Sequence, residues 1–206
     1  MLRAARDVLV PPRCAGCGAA GDWFCHECRD LLEPATAALT PAVRVRGAGA
    51  YEGPLRLAIH RLKYAGERGL AAELGDLVGR LVAADLARGR PLDVLVAVPL
   101  HPARAASRGY DQAVLLTRRA SELVGLPWRP ALHRIRSGRP QVELGRRERI
   151  ENLRGAFVAE ADALRGLRVG LLDDVSTTGA TLRAAAAAVR AAGARTVAGY
   201  VVAIDE

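Results

Sequence analysis

The sequence predicts an α/β fold built on a parallel sheet, and three observations support that class. Short apolar runs typical of buried strands alternate with helical patterns along the chain, and such alternation requires crossover connections between parallel strands. The 206 residues, 50% of them hydrophobic, suffice for one sizeable core and one small appendage. Two adjacent carboxylates, Asp173 and Asp174, follow a late apolar run, at the strand end where ligand sites lie in this fold class.

The individual elements are predicted from periodicity and turn residues. Helices are expected where apolar residues recur every three to four positions, over Pro54–Tyr64, Leu70–Ala87, Tyr110–Val124 and Thr181–Ala192, the last ended by Gly193. Continuous apolar runs predict strands over Asp93–Val98, Ala131–Arg136, Val169–Leu172 and Thr196–Ile204.

Four cysteines form two closely spaced pairs near the N-terminus. Cys14 and Cys17 enclose two residues, seven residues follow, and Cys25 and Cys28 enclose two more. This spacing lets two tight turns present four thiolates tetrahedrally to one Zn²⁺, and such a closed site is structural rather than catalytic. Buried or redox-active cysteines are the alternative, whereas disulfides are disfavoured in a reducing compartment. We therefore predict a zinc-binding module.

The domain organisation follows from a change in composition after the cysteines. Pro34 and Pro41 flank a stretch rich in alanine and threonine, which predicts a linker. We expect residues 1–42 to comprise the zinc module and linker, and residues 43–206 to form the main domain. The sequence lacks both the apolar core of a signal peptide and a membrane-length apolar stretch, so we expect a cytoplasmic protein without a membrane partner.

The charge of the chain favours anionic partners. The net charge is +8 and the isoelectric point is near 10.1, which suits phosphates, nucleotides or nucleic acid. Of the 30 basic residues, however, only Lys63 is a lysine, and diffuse arginine is weak support for a polymer partner. Because the chain otherwise uses arginine, the compact ammonium of Lys63 suggests a specific role, with chance retention as the alternative.

The segment from Asp173 to Thr181 combines two kinds of ligand group. Past the end of a strand, two successive carboxylates can both face a ligand and accept hydrogen bonds from two vicinal hydroxyls. The turn that follows offers backbone N–H groups, hydroxyls and a helix N-terminus to a phosphate, through Ser176, Thr177, Thr178, Gly179, Ala180 and Thr181. The chain has no Gly-Lys pair, which excludes a Walker loop. A polar turn capped by serine and threonine is the alternative.

Two further basic segments are candidates for polyanion binding. The turn after Val98 is stiffened by Pro99 and Pro102 and carries Leu100, His101, Arg104 and Arg108. These donors suit a polyanionic leaving group, with a solvated basic loop as the alternative. The polar, glycine-containing stretch between Arg134 and Asn152 is too basic for a core, and its candidate cations are Arg136, Arg139, Arg146 and Arg149.

The segment from Val169 to Thr181 resembles the phosphoribosyl pyrophosphate (PRPP) signature of type I phosphoribosyltransferases. The rest of the chain resembles the ComF family within that superfamily. The matching segments are Pro11–Cys14, Leu62–Tyr64, Val98–Leu100, Arg108–Ala113 and Asn152–Phe157. The pattern departs at Asp111, where the family usually has asparagine.

The resemblance implies a parallel-sheet, Rossmann-like type I phosphoribosyltransferase core with a small N-terminal zinc module. Asp173 and Asp174 would hold the ribose hydroxyls, Ser176–Thr181 the 5′-phosphate, and the turn after Val98 the pyrophosphate. The stretch between Arg134 and Asn152 resembles the flexible loop that closes over PRPP. Magnesium is implied with PRPP, because Mg²⁺ usually bridges substrate phosphates.

Three functional classes remain open. The first is a transferase that moves phosphoribose to an unidentified nitrogenous small molecule and releases pyrophosphate. The second is a PRPP-binding regulatory protein without turnover. The third is an accessory protein of single-stranded DNA, since the ComF family is associated with competence and DNA uptake. An aromatic content of 4% argues against an extended stacking platform in that third class.

Overall fold

The computed structural model describes residues 11–40, 43–136 and 155–205. The helices in these ranges are α1 His26–Asp30, α2 Gly53–Tyr64, α3 Leu70–Ala87, α4 Pro102–Arg108, α5 Gln112–Val124, α6 Ala161–Leu164 and α7 Ala180–Ala191. The strands are β1 Ala35–Thr40, β2 Val43–Ala50, β3 Val94–Ala97, β4 Leu132–Arg134, β5 Phe157–Ala159, β6 Arg168–Ser176 and β7 Thr196–Ile204.

The main sheet has five strands in the order β1-β2-β7-β6-β3. Strands β2, β7, β6 and β3 are mutually parallel, while β1 pairs antiparallel with β2 at the edge. Asp173 lies opposite Val201 of β7, and Ala97 of β3 lies opposite Leu172. The predicted α/β class with a mostly parallel sheet is thereby confirmed.

The sheet separates two hydrophobic cores, because its side chains alternate between the two faces. On one face Leu172 and Leu95 belong to a core with Leu74 of α3 and Leu116 of α5. On the other face Leu171 belongs to a core with residues of α7 and of the β4–β5 pair, including Leu182, Val189 and Phe157. The apolar runs of the sequence are therefore strands covered by layers on both sides, as parallel strands require.

Most predicted elements are confirmed. Helix α3 and strand β7 have the predicted bounds, and α2 begins one residue earlier than predicted. Helix α5 begins at Gln112 rather than Tyr110, because Asp111 caps it by accepting hydrogen bonds from the N–H groups of Ala113 and Val114. Helix α7 ends one residue before the predicted Ala192, close to Gly193.

Two predictions about local structure are wrong, and one predicted strand is shorter than expected. The expected linker between Pro34 and Pro41 contains β1, whose residues 35–40 pair with β2 in the main sheet. The strand predicted at 131–136 is confirmed as the shorter β4, which pairs with β5 in a separate two-stranded sheet. The expected turn at 102–108 is helix α4, because Pro102 suits the first helical turn and His101 caps it.

The end of strand β6, which carries the two aspartates, also differs from the prediction. Strand β6 does not end at Leu172 but continues through Asp173 and Asp174 to Ser176, paired with β7 throughout. The parallel ladder extends the strand, although two carboxylates interrupt the apolar run from which its end was predicted. The chain has not left its pleat at Asp173, so the two carboxylates lie on opposite faces of the sheet.

Strand β1 runs against its neighbours and brings the cysteine segment to a particular edge. Ala35, where β1 begins, lies opposite Gly47 in the carboxyl half of β2. The buried cysteines Cys14, Cys25 and Cys28 share one core with residues of α2 and α3. The division of the chain into residues 1–42 and 43–206 stays a prediction.

Candidate functional site

The two aspartates of β6 differ in their surroundings. Asp174 lies on the same face as Leu172 and is 5% exposed, whereas Asp173 lies on the face of Leu171 and is half-buried. Both are near the carboxyl end of the strand, as predicted. Their opposed faces mean that they meet different neighbours.

Asp174 is held by two donors from distant segments. The ammonium of Lys63, in the last turn of α2, lies 2.8 Å from Oδ1 of Asp174. The amide of Gln112, the first residue of α5, donates to Oδ2 at 2.6 Å, and Arg108 in turn donates to the amide oxygen of Gln112. Burial acts to lower the pKa of Lys63, but the attraction of the Asp174 carboxylate for the ammonium is the stronger effect. The pKa of Lys63 is thus above its usual value. Lys63 is therefore protonated at neutral pH.

Asp173 is less buried than Asp174 and interacts electrostatically with Arg134. The pKa of Asp173 is raised well above its usual range. Burial is the largest cause, and the charge of the Asp174 carboxylate is the second. Arg134 of β4 interacts electrostatically with both Asp173 and Arg104; burial, followed by the charge of Arg104, lowers the pKa of Arg134. Asp173, Arg104 and Arg134 thus form one electrostatic cluster at this edge of the sheet.

The turn from β6 into α7 is built around Gly179. This glycine has φ of 70° and precedes the first residue of α7, a left-handed conformation that disfavours any larger side chain. The hydroxyl of Thr178 accepts a hydrogen bond from the N–H of Ala180 at 3.4 Å, and Arg183 donates to the carbonyl of Thr178. Ser176 is buried, Thr177 is exposed, and Thr181 is half-buried. The helix N-terminus therefore lies directly after the carboxylate pair.

The segment after β3 joins the site through Asp111. The N–H of Leu100 donates to Oδ2 of Asp111 at 2.7 Å, while the other carboxylate oxygen caps α5. In these contacts both carboxylate oxygens of Asp111 accept hydrogen bonds from backbone N–H groups. Burial raises the pKa of the Asp111 carboxyl group. Nδ1 of His101 accepts a hydrogen bond from the N–H of Ala103, so His101 serves as a helix cap.

The predicted basic residues differ in their availability. Arg104 is exposed, while Arg108 is half-buried and engaged with Gln112. Arg136 is exposed at the end of a described range, and its carbonyl accepts a hydrogen bond from Arg134 at 3.3 Å. Arg139, Arg146 and Arg149 lie outside the described residues.

Sequence reasoning missed two residues that the structure brings to the site. The sequence gives Gln112 no role beyond membership of the Arg108–Ala113 segment, yet its buried amide holds Asp174. The sequence predicts Arg134 only as the boundary of a basic stretch, yet it lies within electrostatic range of Asp173. Gln112 follows the helix-capping Asp111, and this position at a helix start next to a strand end is the signal that could have identified it.

The four cysteines converge as predicted. Their sulfur atoms all lie within 4.8 Å of one another. The Sγ–Sγ distances are 3.7 Å for Cys14 and Cys28 and 3.5 Å for Cys17 and Cys25. Four sulfurs at about 2.3 Å from one tetrahedral zinc lie about 3.8 Å apart, so the cluster is compatible with structural zinc. Burial opposes ionisation of Cys14, but the N–H groups of Cys17, Cys25 and Gly16 outweigh it and lower its pKa to about 6.

The cysteine module packs directly on α2 and the start of α3. Arg61 of α2 donates to the carbonyl of Cys14 at 3.4 Å, and Arg29 pairs with Glu73 of α3 at 2.9 Å. A Cβ atom on Gly16 would lie 2.6 Å from Cβ of Pro54. Close packing of this kind leaves no room for a side chain at residue 16.

Within the described ranges, no helix has both the length and the apolarity needed to cross a lipid bilayer.

Comparison with known proteins identifies relatives along most of the chain. No family model matches it. DNA utilization protein YhgH of Salmonella typhimurium is 33% identical over 199 residues, which are 95% of this chain and 84% of the relative. Competence protein F of Haemophilus influenzae is 30% identical over 179 residues, which are 83% of this chain and 75% of that protein.

Two solved structures are also similar to the chain. The allosteric regulatory enzyme of purine biosynthesis is 23% identical with a TM-score of 0.45, and the alignment covers 65% of this chain and 26% of the enzyme. Glutamine PRPP amidotransferase from B. subtilis, complexed with ADP and GMP, is 22% identical with a TM-score of 0.45, and the alignment covers 65% of this chain and 27% of that one. The chain therefore spans about a quarter of the length of either structure.

The near full-length similarity to competence protein F and YhgH agrees with the cysteine cluster and with the parallel α/β core, and on these grounds the chain belongs to the ComF family.

Proposed function

We propose that the protein binds PRPP with Mg²⁺ and transfers phosphoribose to a nitrogenous acceptor, releasing pyrophosphate. One observation carries the proposal: the aspartate pair at the carboxyl end of β6 is followed immediately by the Gly179 turn and the N-terminus of α7. Carboxylate acceptors for a diol thus lie beside N–H donors for a phosphate.

The two aspartates have unequal roles in this proposal. Asp173 is the more open carboxylate and would accept a ribose hydroxyl directly. Asp174 already accepts from Lys63 and Gln112, but a carboxylate offers about four lone-pair positions, so it can accept one hydroxyl more. Ser176–Thr181 would then bind the 5′-phosphate.

The pyrophosphate would lie against the basic cluster of Arg104 and Arg134. Arg134 interacts electrostatically with both Asp173 and Arg104, and Arg104 is exposed. The carboxylates here are hard oxygen donors that Mg²⁺ accepts, and when bound with PRPP the ion supplies charge neutralisation for the phosphate oxygens. Arg139, Arg146 and Arg149 would add charge from the segment proposed to close over PRPP.

The reaction requires positioning rather than a covalent nucleophile. A bond forms between the acceptor nitrogen and the anomeric carbon, while the bond from that carbon to the pyrophosphate oxygen breaks with its electron pair. The proton of the nitrogen leaves to solvent. Because the transition state resembles an oxocarbenium ion, the residues must fix both ends of the sugar and exclude water.

Calorimetry with PRPP and Mg²⁺, followed by an assay of pyrophosphate release with a panel of bases and amines, tests the proposal. Asp173→Asn combined with Asp174→Asn should abolish both binding heat and release. The matched control is Asp205→Asn, an exposed carboxylate just past β7 at the same edge of the sheet. Binding without release for any acceptor would indicate a regulatory PRPP-binding protein, and absence of binding would reject the proposal.

A second candidate function is association with single-stranded DNA in the cytoplasm. The names of the relatives, competence protein F and DNA utilization protein YhgH, favour it, and so does the net charge of +8. A salt titration of oligonucleotide binding tests this candidate, because phosphate contacts give affinity that falls steeply with salt. Loss of binding after zinc chelation would assign it to the cysteine module, whereas absence of binding at low salt would remove it.

A further inference from the structure

Tyr64 presents an exposed aromatic ring beside the candidate site. It is the last residue of α2 and is 68% exposed, in a chain that has only four tyrosines. Tyr110, the nearby tyrosine, has a packing role, because its hydroxyl donates to the carbonyl of Leu62 and its ring lies under the guanidinium of Arg68. Tyr64 is not buried in the same way.

The ring of Tyr64 is nevertheless held in place. The guanidinium carbon of Arg108 lies over the ring at 5.5 Å from its centroid, and the ring of His60 lies 4.6 Å away at a tilt of 48°. Arg108 is itself fixed by its hydrogen bond to Gln112. Tyr64 remains 68% exposed although Arg108 lies over its ring, so much of the side chain is accessible to a ligand. A fixed ring of this kind loses little conformational freedom when a ligand stacks on it.

Two connections place this ring next to Asp174. Lys63, the residue before Tyr64, forms the ion pair with Asp174 at 2.8 Å. Arg108, which covers the ring, donates to Gln112, and Gln112 donates to Asp174 at 2.6 Å. The exposed ring is therefore linked to the carboxylate to which the proposed function assigns the sugar, both through the adjacent Lys63 and through Arg108 and Gln112.

We propose that Tyr64 stacks the acceptor, and that the acceptor is a planar nitrogen heterocycle of the nucleobase class. The inference rests on the proposed function, since it names the substrate class of the same site. An aromatic face stacks on any base regardless of its hydrogen-bonding pattern. The guanidinium of Arg108 over the ring suits an electron-rich ring more than an aliphatic amine, which is itself a cation at neutral pH. A free base and a base within a single strand of nucleic acid both offer a planar ring that can stack on Tyr64.

The test compares Tyr64→Ala with the wild type for both sources of the ring. The probes are free adenine, guanine, cytosine and uracil at saturating PRPP and Mg²⁺, and a single-stranded thymidine oligonucleotide of about twelve nucleotides. We expect Tyr64→Ala to weaken binding of at least one probe about tenfold, with the heat of PRPP binding unchanged. Tyr64→Phe and Tyr64→Trp should retain binding, because both keep an aromatic face. Leu57→Ala is the matched control, since Leu57 is 51% exposed on the same helix and lacks an aromatic ring.

The outcomes separate this inference from the proposed function. Weakened binding of free bases identifies a free acceptor, and weakened binding of the oligonucleotide alone identifies a base within a strand. Either result supports stacking on Tyr64. Wild-type affinity of Tyr64→Ala for every probe, with normal PRPP binding, overturns the inference and leaves the proposed function in place. Failure of the wild type to bind PRPP instead rejects the proposed function and removes the basis of this one.

Discussion

The cysteine module and the carboxyl edge of β6 are both sets of converging ligand groups, but they are assembled differently. The module takes its four thiols from one short segment, and their spacing alone predicts the cluster. The Asp174 site takes its partners from two separate helices, and Gln112 is 62 residues away from Asp174 in sequence. The contrast teaches that local spacing specifies a cysteine cluster, whereas tertiary packing specifies how a carboxylate is held.

Removal of one thiol from the cysteine module should have the largest effect on the free energy of unfolding. We expect Cys28→Ser to cost about 4 kcal/mol or more, because a structural metal site contributes folding free energy directly. Denaturant unfolding together with a measurement of bound zinc checks this. The control is His26→Ser, in the same segment but exposed and outside the cluster. A Cys28→Ser variant that unfolds like the wild type would show that the cluster does not stabilise the fold.

Disruption of the Lys63–Asp174 pair should have the next largest effect. Lys63→Met leaves the Asp174 carboxylate buried without its cation, and removing one partner of a buried pair costs about 3 kcal/mol. The double variant with Asp174→Asn should recover much of that loss, since no unpaired charge remains. Unfolding free energies of the two single variants and the double variant test the coupling. Additivity within about 0.5 kcal/mol would indicate that the pair is not coupled.

A methyl group at Gly16 sharpens the comparison by loosening the module without removing a thiol. Gly16→Ala places Cβ 2.6 Å from Pro54 and 2.7 Å from the sulfur of Cys28, so we expect a loss of about 1–3 kcal/mol. Thermal unfolding measures it. Gly18→Ala is the control, because a Cβ there meets open space and only the positive φ of 81° opposes it. Equal losses in the two variants would mean that packing on α2 contributes little.

The smallest effect is the pH dependence that arises from Asp173. Burial and the Asp174 carboxylate raise the pKa of Asp173 in the folded state, so the folded protein keeps this proton to a higher pH than the unfolded chain. The unfolding free energy should therefore fall as pH rises from the ordinary carboxyl range to the raised value. Asp173→Asn should remove this part of the fall and make the protein more stable at neutral pH. Curves of unfolding free energy against pH for the wild type, Asp173→Asn and Asp205→Asn test this; parallel curves for all three would contradict it.

Much of the fold was predictable because long periodic segments carry their own signal. Helix α3 and strand β7 have the predicted bounds, since each is long and apolar on the expected faces. Strand β1 was missed because alanine and threonine between two prolines resemble a linker, and only pairing with β2 makes them a strand. Asp85 of α3 was not recognised either. Asp85 is buried, and its carboxylate pairs with Arg46 and Arg90 and accepts a hydrogen bond from the hydroxyl of Tyr200. These partners lie outside α3 and cannot be identified from its sequence.

The candidate site was predictable in its ligand groups but not in their arrangement. The aspartate pair and the glycine turn lie at the strand end as expected, yet the strand runs through both aspartates and separates their faces. Lys63 was singled out as the only lysine, but its partner could not be inferred from spacing. Gln112 and Arg134 reach the aspartates only through packing of α5 and placement of β4.

The direction of β1 gives helix α2 a double attachment. Because β1 is antiparallel to β2, the cysteine segment that precedes β1 lies at the carboxyl edge of the parallel strands. At this edge Arg61 of α2 contacts the backbone of Cys14. Lys63, two residues later on the same helix, contacts Asp174. A single turn of helix therefore joins the two regions, and disruption of the thiol cluster should also displace the ammonium that pairs with Asp174.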